Sequence, residues 1–146
     1  MTAKSDFTEE EWNVVREGPA AAGMIVLTAH GGGSFRETWA LAKTYTEAQK
    51  APGSSQLLDE IVSERPDVER YHSAEEQEQH GLEGIRAAVG LLEQKATPDE
   101  VEAYKAFVLE VATRVAKAHE EEGEPVSPAE QAAIEKVASS LGRTAP

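Results

Sequence analysis

The chain contains no cysteine, has aromatic residues at only 5% of its positions, and lacks a long hydrophobic run. Without cysteine, neither a disulfide framework nor a thiolate metal site is available. The longest apolar run, residues 20–29, is interrupted by Gly23 and Thr28 and is too short to cross a bilayer. The N-terminal region also lacks the basic-then-apolar order of a signal peptide. We therefore expect a soluble, cytoplasmic protein.

Basic residues are scarce as well, and 14 Lys and Arg against 27 Asp and Glu give a formal net charge of −13. A field of this sign repels phosphate backbones and anionic lipids, and no basic stripe opposes it. We therefore expect no binding to nucleic acid and no insertion into a membrane. A protein partner with a basic surface is favoured on this ground, although solubility alone also explains the charge.

Helix-start signals are abundant. Four segments have the Ser/Thr-x-x-Glu form of a capping box, in which each side chain bonds the backbone amide of the other residue. These boxes begin at Thr8, Ser34, Thr97 and Ser127. We predict a single all-α domain over residues 1–146, with about six to eight helices. Residues 1–6 are expected to be flexible, and residues 120–126 to form an acidic loop.

Apolar residues recur at helical spacing between these signals. Residues Met24–Thr28 fit a buried strand or a helix, but no second strand exists to pair with them, so we predict a helix that begins near Pro19. The stripes predict a set of buried side chains: Phe35, Trp39, Ile85, Val89, Tyr104, Val108, Val111 and Ile134. Together these residues predict one hydrophobic core.

Catalytic motifs are incomplete. The segment from His30 to Gly33 resembles the oxyanion-hole motif of esterases, but the Gly-x-Ser-x-Gly nucleophile motif that this chemistry requires does not occur. No nucleophile, base and orienting group can be combined with any specificity. We therefore expect a protein that is not an enzyme.

Two segments of the chain share one pattern, which reads helix, Ala-His, loop, Ser-x-x-Glu, helix. The first segment contains His30 and Glu37, and the second contains His119 and Glu130. Imidazole and carboxylate groups that converge on one loop region are ligands for a divalent metal ion. The same residues are also explained without a metal, because a histidine in the last helical turn interacts favourably with the helix dipole and the glutamates complete capping boxes. Both interpretations stay open.

At these paired loops the chain resembles the TerB-like family of helical domains, which is associated with tellurite resistance. The family pattern is an apolar helix, then Ala-Asp-Gly, then a Glu that opens the next helix. Ala29, His30 and Glu37 resemble the first copy, and His119 and Glu130 lie at the matching positions of the second. In the family, the loop aspartates belong to an acidic, metal-associated site. Both aspartates are histidine here, which puts the metal preference in question.

The resemblance implies a fold of two pseudo-repeated halves and a non-enzymatic binding module that acts in stress response. It also implies a divalent metal site formed by His30, Glu37, His119 and Glu130. The alternative is a metal-free protein–protein interaction or regulatory module that uses its acidic surface. The two hypotheses differ in whether a metal stabilises the folded chain.

Overall fold

The computed structural model describes residues 3–29, 35–50, 56–64, 73–121 and 128–142, except for the side chains of residues 35–38 and 119–121. After a short 3-10 turn at Lys4–Asp6, these residues form six α-helices and no strand. The helices are α1 Glu9–Ala29, α2 Phe35–Lys50, α3 Gln56–Ser63, α4 Ala74–Lys95, α5 Pro98–Glu121 and α6 Pro128–Ser140. The predicted all-α fold class is confirmed. None of these helices is both long enough and apolar enough to span a membrane.

Reciprocal capping boxes begin two of the helices. At α1, the Glu11 amide donates to Thr8 Oγ1 at 3.1 Å, and the Thr8 amide donates to Glu11 Oε1 at 2.9 Å. At α5, Thr97 and Glu100 form the same pair of bonds at 3.2 and 3.0 Å. Both boxes were predicted from the sequence and are confirmed. The two other predicted boxes begin at residues outside the described part of the chain: Ser34 and Ser127.

The central helix is α1, which has its most extensive interfaces with α4 and α5. Helix α4 runs antiparallel to α1 along the whole length of α1. Near one end Lys95 Nζ lies 2.9 Å from the Glu11 carboxylate, and near the other a Cβ at Gly81 would lie only 2.7 Å from Ile25 Cδ1. Glycine at position 81 therefore lets the two backbones approach closely.

Helix α1 continues through Pro19, although proline removes the amide that would bond the Val15 carbonyl. The Tyr104 hydroxyl of α5 donates to this carbonyl instead, at 2.6 Å. Gly18 gives the hydroxyl room, because a Cβ at this position would overlap its oxygen. The prediction that Met24–Thr28 is helical is therefore confirmed. The prediction that a helix begins at Pro19 is wrong, because a contact from a distant helix replaces the lost bond.

Six of the side chains predicted to be in the core are buried: Ile85, Val89, Tyr104, Val108, Val111 and Ile134. The side chain of Phe35 lies outside the described part of the chain. The prediction for Trp39 is wrong, since this side chain is 51% exposed. Helix α2 turns Leu41, Thr44 and Tyr45 inward, and Trp39 lies about 200° around the helix from Leu41.

Two segments predicted to lack regular structure are helical in part. Lys4–Asp6 forms the 3-10 turn, and the Lys4 amide donates to Glu60 Oε2 of α3 at 2.5 Å. Helix α5 continues to Glu121, so the first residues of the predicted acidic loop extend that helix. The remaining loop residues, 122–126, lie outside the described part of the chain.

Candidate functional site

Helices α1 and α5 run parallel to each other. Gly18 lies against Tyr104, and further along both helices a Cβ at Gly23 would lie 3.1 Å from Val111 Cγ1. The contacts thus advance in the same direction along both helices. The C-terminal turns of α1 and α5 consequently lie at the same end of the bundle.

Helix α2 runs in the opposite direction to both. A Cβ at Gly23 would lie 2.9 Å from Leu41 Cδ1, and one turn later Tyr45 packs edge-on against Phe107 with ring centroids 5.5 Å apart. Helix α2 therefore begins where α1 and α5 end, and α4, antiparallel to α1, begins there too. We call this region, defined by the last turns of α1 and α5 and the first turns of α2 and α4, the shared end.

Three of the predicted metal ligands belong to segments whose helix ends lie at the shared end. His30 directly follows α1 and lies outside the described residues, while Glu37 and His119 lie in helical turns whose side chains are not described. Glu130 lies in the first turn of α6, and its side chain is described. Among the side chains that the structure describes, no group of three histidine, aspartate or glutamate residues can hold a metal ion.

The Glu130 side chain is completely buried. Burying a carboxylate is unfavourable unless it is hydrogen-bonded or paired with a cation. The capping box supplies one explanation, because Glu100, which completes the box of α5, is also only 8% exposed and accepts a bond from Thr97. Ser127, the predicted capping partner of Glu130, lies outside the described residues. Burial of Glu130 is therefore compatible with a cap alone or with a cap and a cation.

Helix ends of both signs meet at the shared end. A helix C-terminus carries roughly half a unit of negative charge, and α1 has no basic residue in its last turn to offset it. The N-termini of α2 and α4 oppose this field with their positive ends. In α4, however, Glu75 and Glu76 occupy the first turn and counteract that positive end. These dipole contributions partly cancel, and Lys117 of α5 adds a positive charge close to the shared end.

A separate cavity of about 700 Å³ lies beside the N-terminal turn, α1 and α3. Along it, Trp12 Nε1 donates a hydrogen bond to Glu64 Oε2 at 2.7 Å, and Lys4 Nζ lies 3.1 Å from the same carboxylate. Burial raises the pKa of Glu64, but the hydrogen bonds from Trp12 and Lys4 outweigh it and leave the pKa below its usual value. The carboxylate is thus held ionised as a link between α1 and α3.

Comparison with known proteins finds no relative of the chain. No protein-family model matches the sequence, and no curated protein and no solved structure matches it significantly. The resemblance to TerB-like domains therefore rests on the residues of the paired loops and their spacing.

Proposed function

We propose that the chain is a non-enzymatic helical binding module, similar to TerB-like domains, that binds a divalent metal ion at the shared end. The ligands would be His30, Glu37, His119 and Glu130. The observation that carries the proposal is the parallel arrangement of α1 and α5, since it brings the C-terminal ends of both histidine-bearing segments to one end of the bundle. By family resemblance, the role of the module is in stress response, of which tellurite resistance is one form.

The donor set favours particular ions. Two imidazoles with two carboxylates suit zinc, nickel or copper better than the calcium or manganese that an all-carboxylate site prefers. A histidine ligand must be neutral, so binding weakens as the pH falls below about 6.5, the usual pKa of this side chain. The replacement of the family's aspartates by His30 and His119 is therefore a change of metal preference under this proposal.

The test is metal analysis of the untagged protein, followed by thermal unfolding with and without each metal and a chelator. An ion that binds only the folded chain at a hundredfold excess over Kd stabilises it by about 2.7 kcal/mol, which raises the Tm of a domain of this size by roughly 5–10 °C. We expect this shift with zinc or nickel, and its loss in His30→Ala and His119→Ala.

His80→Ala is the matched control, because His80 is exposed on α4 and belongs to neither paired loop. It should keep the full metal-dependent shift. Absence of stoichiometric metal, together with a Tm that added metal does not change, would contradict the proposal. An equal loss of the shift in His80→Ala would place the site elsewhere on the chain.

The second candidate is a metal-free interaction or regulatory module that binds a protein with a basic surface. The net charge of −13 supports it, as do the exposed carboxylates of Glu75, Glu76, Glu83 and Glu93 on α4. A lysine-rich peptide titrated in the presence of chelator tests this candidate. Binding that weakens with salt and persists without metal favours it, whereas absence of binding contradicts it.

A further inference from the structure

Trp39 is the one large apolar side chain that is exposed among the residues the structure describes. Single exposed apolar residues are common on protein surfaces and need no special account. Tryptophan is nevertheless enriched, together with tyrosine and arginine, among the side chains that dominate binding energy at interfaces. Its significance here depends on the side chains around it.

The neighbours of Trp39 are cationic. Lys43 Nζ lies 4.8 Å from the centroid of the Trp39 ring, within the range of a cation–π interaction. Arg114 and Lys117 of α5 line the same cavity, which has a volume of about 310 Å³, and none of the described residues that line it is acidic. We call Trp39, Lys43, Arg114 and Lys117 the Trp39 surface. It is a basic area on a chain whose net charge is −13.

Ion pairs with two glutamates hold the Arg114 side chain of the Trp39 surface in place. Arg114 pairs with Glu47 of α2, and its second terminal nitrogen lies 3.1 Å from Glu110. The hydrogen bond with Glu47 raises the pKa of Arg114, whose guanidinium is charged at physiological pH in any case. Glu47 also lies 3.8 Å from Lys43 Nζ, and both glutamates line the adjoining cavity, so the charges of Lys43 and Arg114 are partly balanced. The guanidinium is thus preorganised, which reduces the entropy lost on binding.

The positive charge of the Trp39 surface favours a negatively charged ligand. We propose that the Trp39 surface binds an acidic peptide segment of a partner protein, with an apolar side chain against the Trp39 ring and carboxylates toward Lys43 and Lys117. Beyond about 8 Å the remaining negative charge of the chain is screened at physiological ionic strength. Among the described side chains at this surface, the three cations outnumber the two carboxylates that pair with them, Glu47 and Glu110, so the local charge is positive. The area is small, so the interaction is of the transient kind.

The experiment is a selection of random displayed peptides on the full chain, followed by calorimetry with the enriched sequences. We expect enrichment of peptides that carry several Asp or Glu residues around one aromatic or aliphatic residue. Trp39→Ala should weaken their binding at least about tenfold, as expected for an interface anchor. Lys117→Glu should weaken it as well, and both variants should keep the wild-type Tm because the two side chains are exposed.

Arg86→Glu is the control for net charge, since Arg86 is exposed on α4 and its reversal changes the total charge by the same amount as Lys117→Glu. It should leave peptide binding unchanged. Several outcomes overturn the proposal: no enrichment, enrichment of neutral or basic peptides, or equal binding to Trp39→Ala. Trp39-dependent binding of a single-stranded oligonucleotide, or a Trp39-dependent dimer in light scattering, would assign the surface to a different occupant.

Discussion

The hydroxyl oxygen of Tyr104 lies 2.6 Å from the carbonyl oxygen of Val15, a carbonyl that the amide of residue 19 would bond in an uninterrupted helix. Pro19 leaves the carbonyl without its usual donor, and Gly18 makes room for the hydroxyl. Proline inside a helix typically costs about 3 kcal/mol, part of which is the lost hydrogen bond. Here the hydrogen bond that α1 loses at Pro19 is replaced by a hydrogen bond from α5.

We expect Tyr104→Phe to destabilise the fold by about 1–3 kcal/mol, because it leaves the buried Val15 carbonyl without a donor. Pro19→Ala restores an amide at residue 19 that can bond the same carbonyl. The cost of Tyr104→Phe should therefore be smaller in the Pro19→Ala background. Urea unfolding of the two single variants and the double variant measures this coupling. Strictly additive effects would show that the two residues do not share the carbonyl.

Two glycines within helices should respond oppositely to alanine. Gly18→Ala should destabilise the fold, because the new Cβ overlaps the Tyr104 hydroxyl. Gly84→Ala on α4 should stabilise it by about 0.5–1 kcal/mol, since no atom of the described residues lies within 4 Å of the added Cβ and alanine is the better helix former. Thermal unfolding of both variants tests the pair. A loss of stability in Gly84→Ala would indicate that another surface packs against α4 in solution.

The buried tyrosines predict a sensitivity to alkaline pH. Burial raises the pKa of both Tyr45 and Tyr104, so the folded chain favours their neutral forms. This contribution to stability is complete below the unfolded-state pKa of about 10 and is lost as the pH rises from there toward the folded-state values, by up to about 1.4 kcal/mol per pH unit for each tyrosine.

Near-ultraviolet absorbance of tyrosinate, followed together with helical circular dichroism, measures this effect. We expect the signals of Tyr45 and Tyr104 to appear only as helicity is lost, and Tyr104→Phe to remove one of the two late signals. Complete ionisation of all three tyrosines with helicity intact would contradict the burial of this pair.

Local signals predicted much of the helical framework. The capping boxes at Thr8 and Thr97 mark the starts of α1 and α5, because they depend on side chains only three residues apart. The course of α1 through Pro19 was not predictable in this way, since its compensating donor comes from Tyr104 on another helix. Trp39 was misplaced because its spacing from Phe35 does not determine which face of α2 packs inward, and that face carries Leu41, Thr44 and Tyr45 instead.

The candidate metal site was less predictable than the fold. Spacing identified His30, Glu37, His119 and Glu130 as equivalent pairs, but spacing does not determine the relative direction of two helices distant in sequence. The parallel course of α1 and α5 comes from tertiary contacts such as those at Gly18 and Gly23. The Trp39 surface could not be predicted from the sequence either, because its cations come from two helices and have no common motif.

The position of α1 at the centre of the bundle has a consequence for synthesis on the ribosome. Its most extensive interfaces are with α4 and α5, and α5 ends at Glu121, 92 residues after Ala29. At typical translation rates, roughly 5–20 s pass between the appearance of these two residues. Helix α1, in which Val26 and Leu27 have no exposed surface in the folded chain, therefore lacks its complete interface with α5 until this interval ends. The innermost part of the finished fold is thus a part of the nascent chain that stays incompletely covered for seconds.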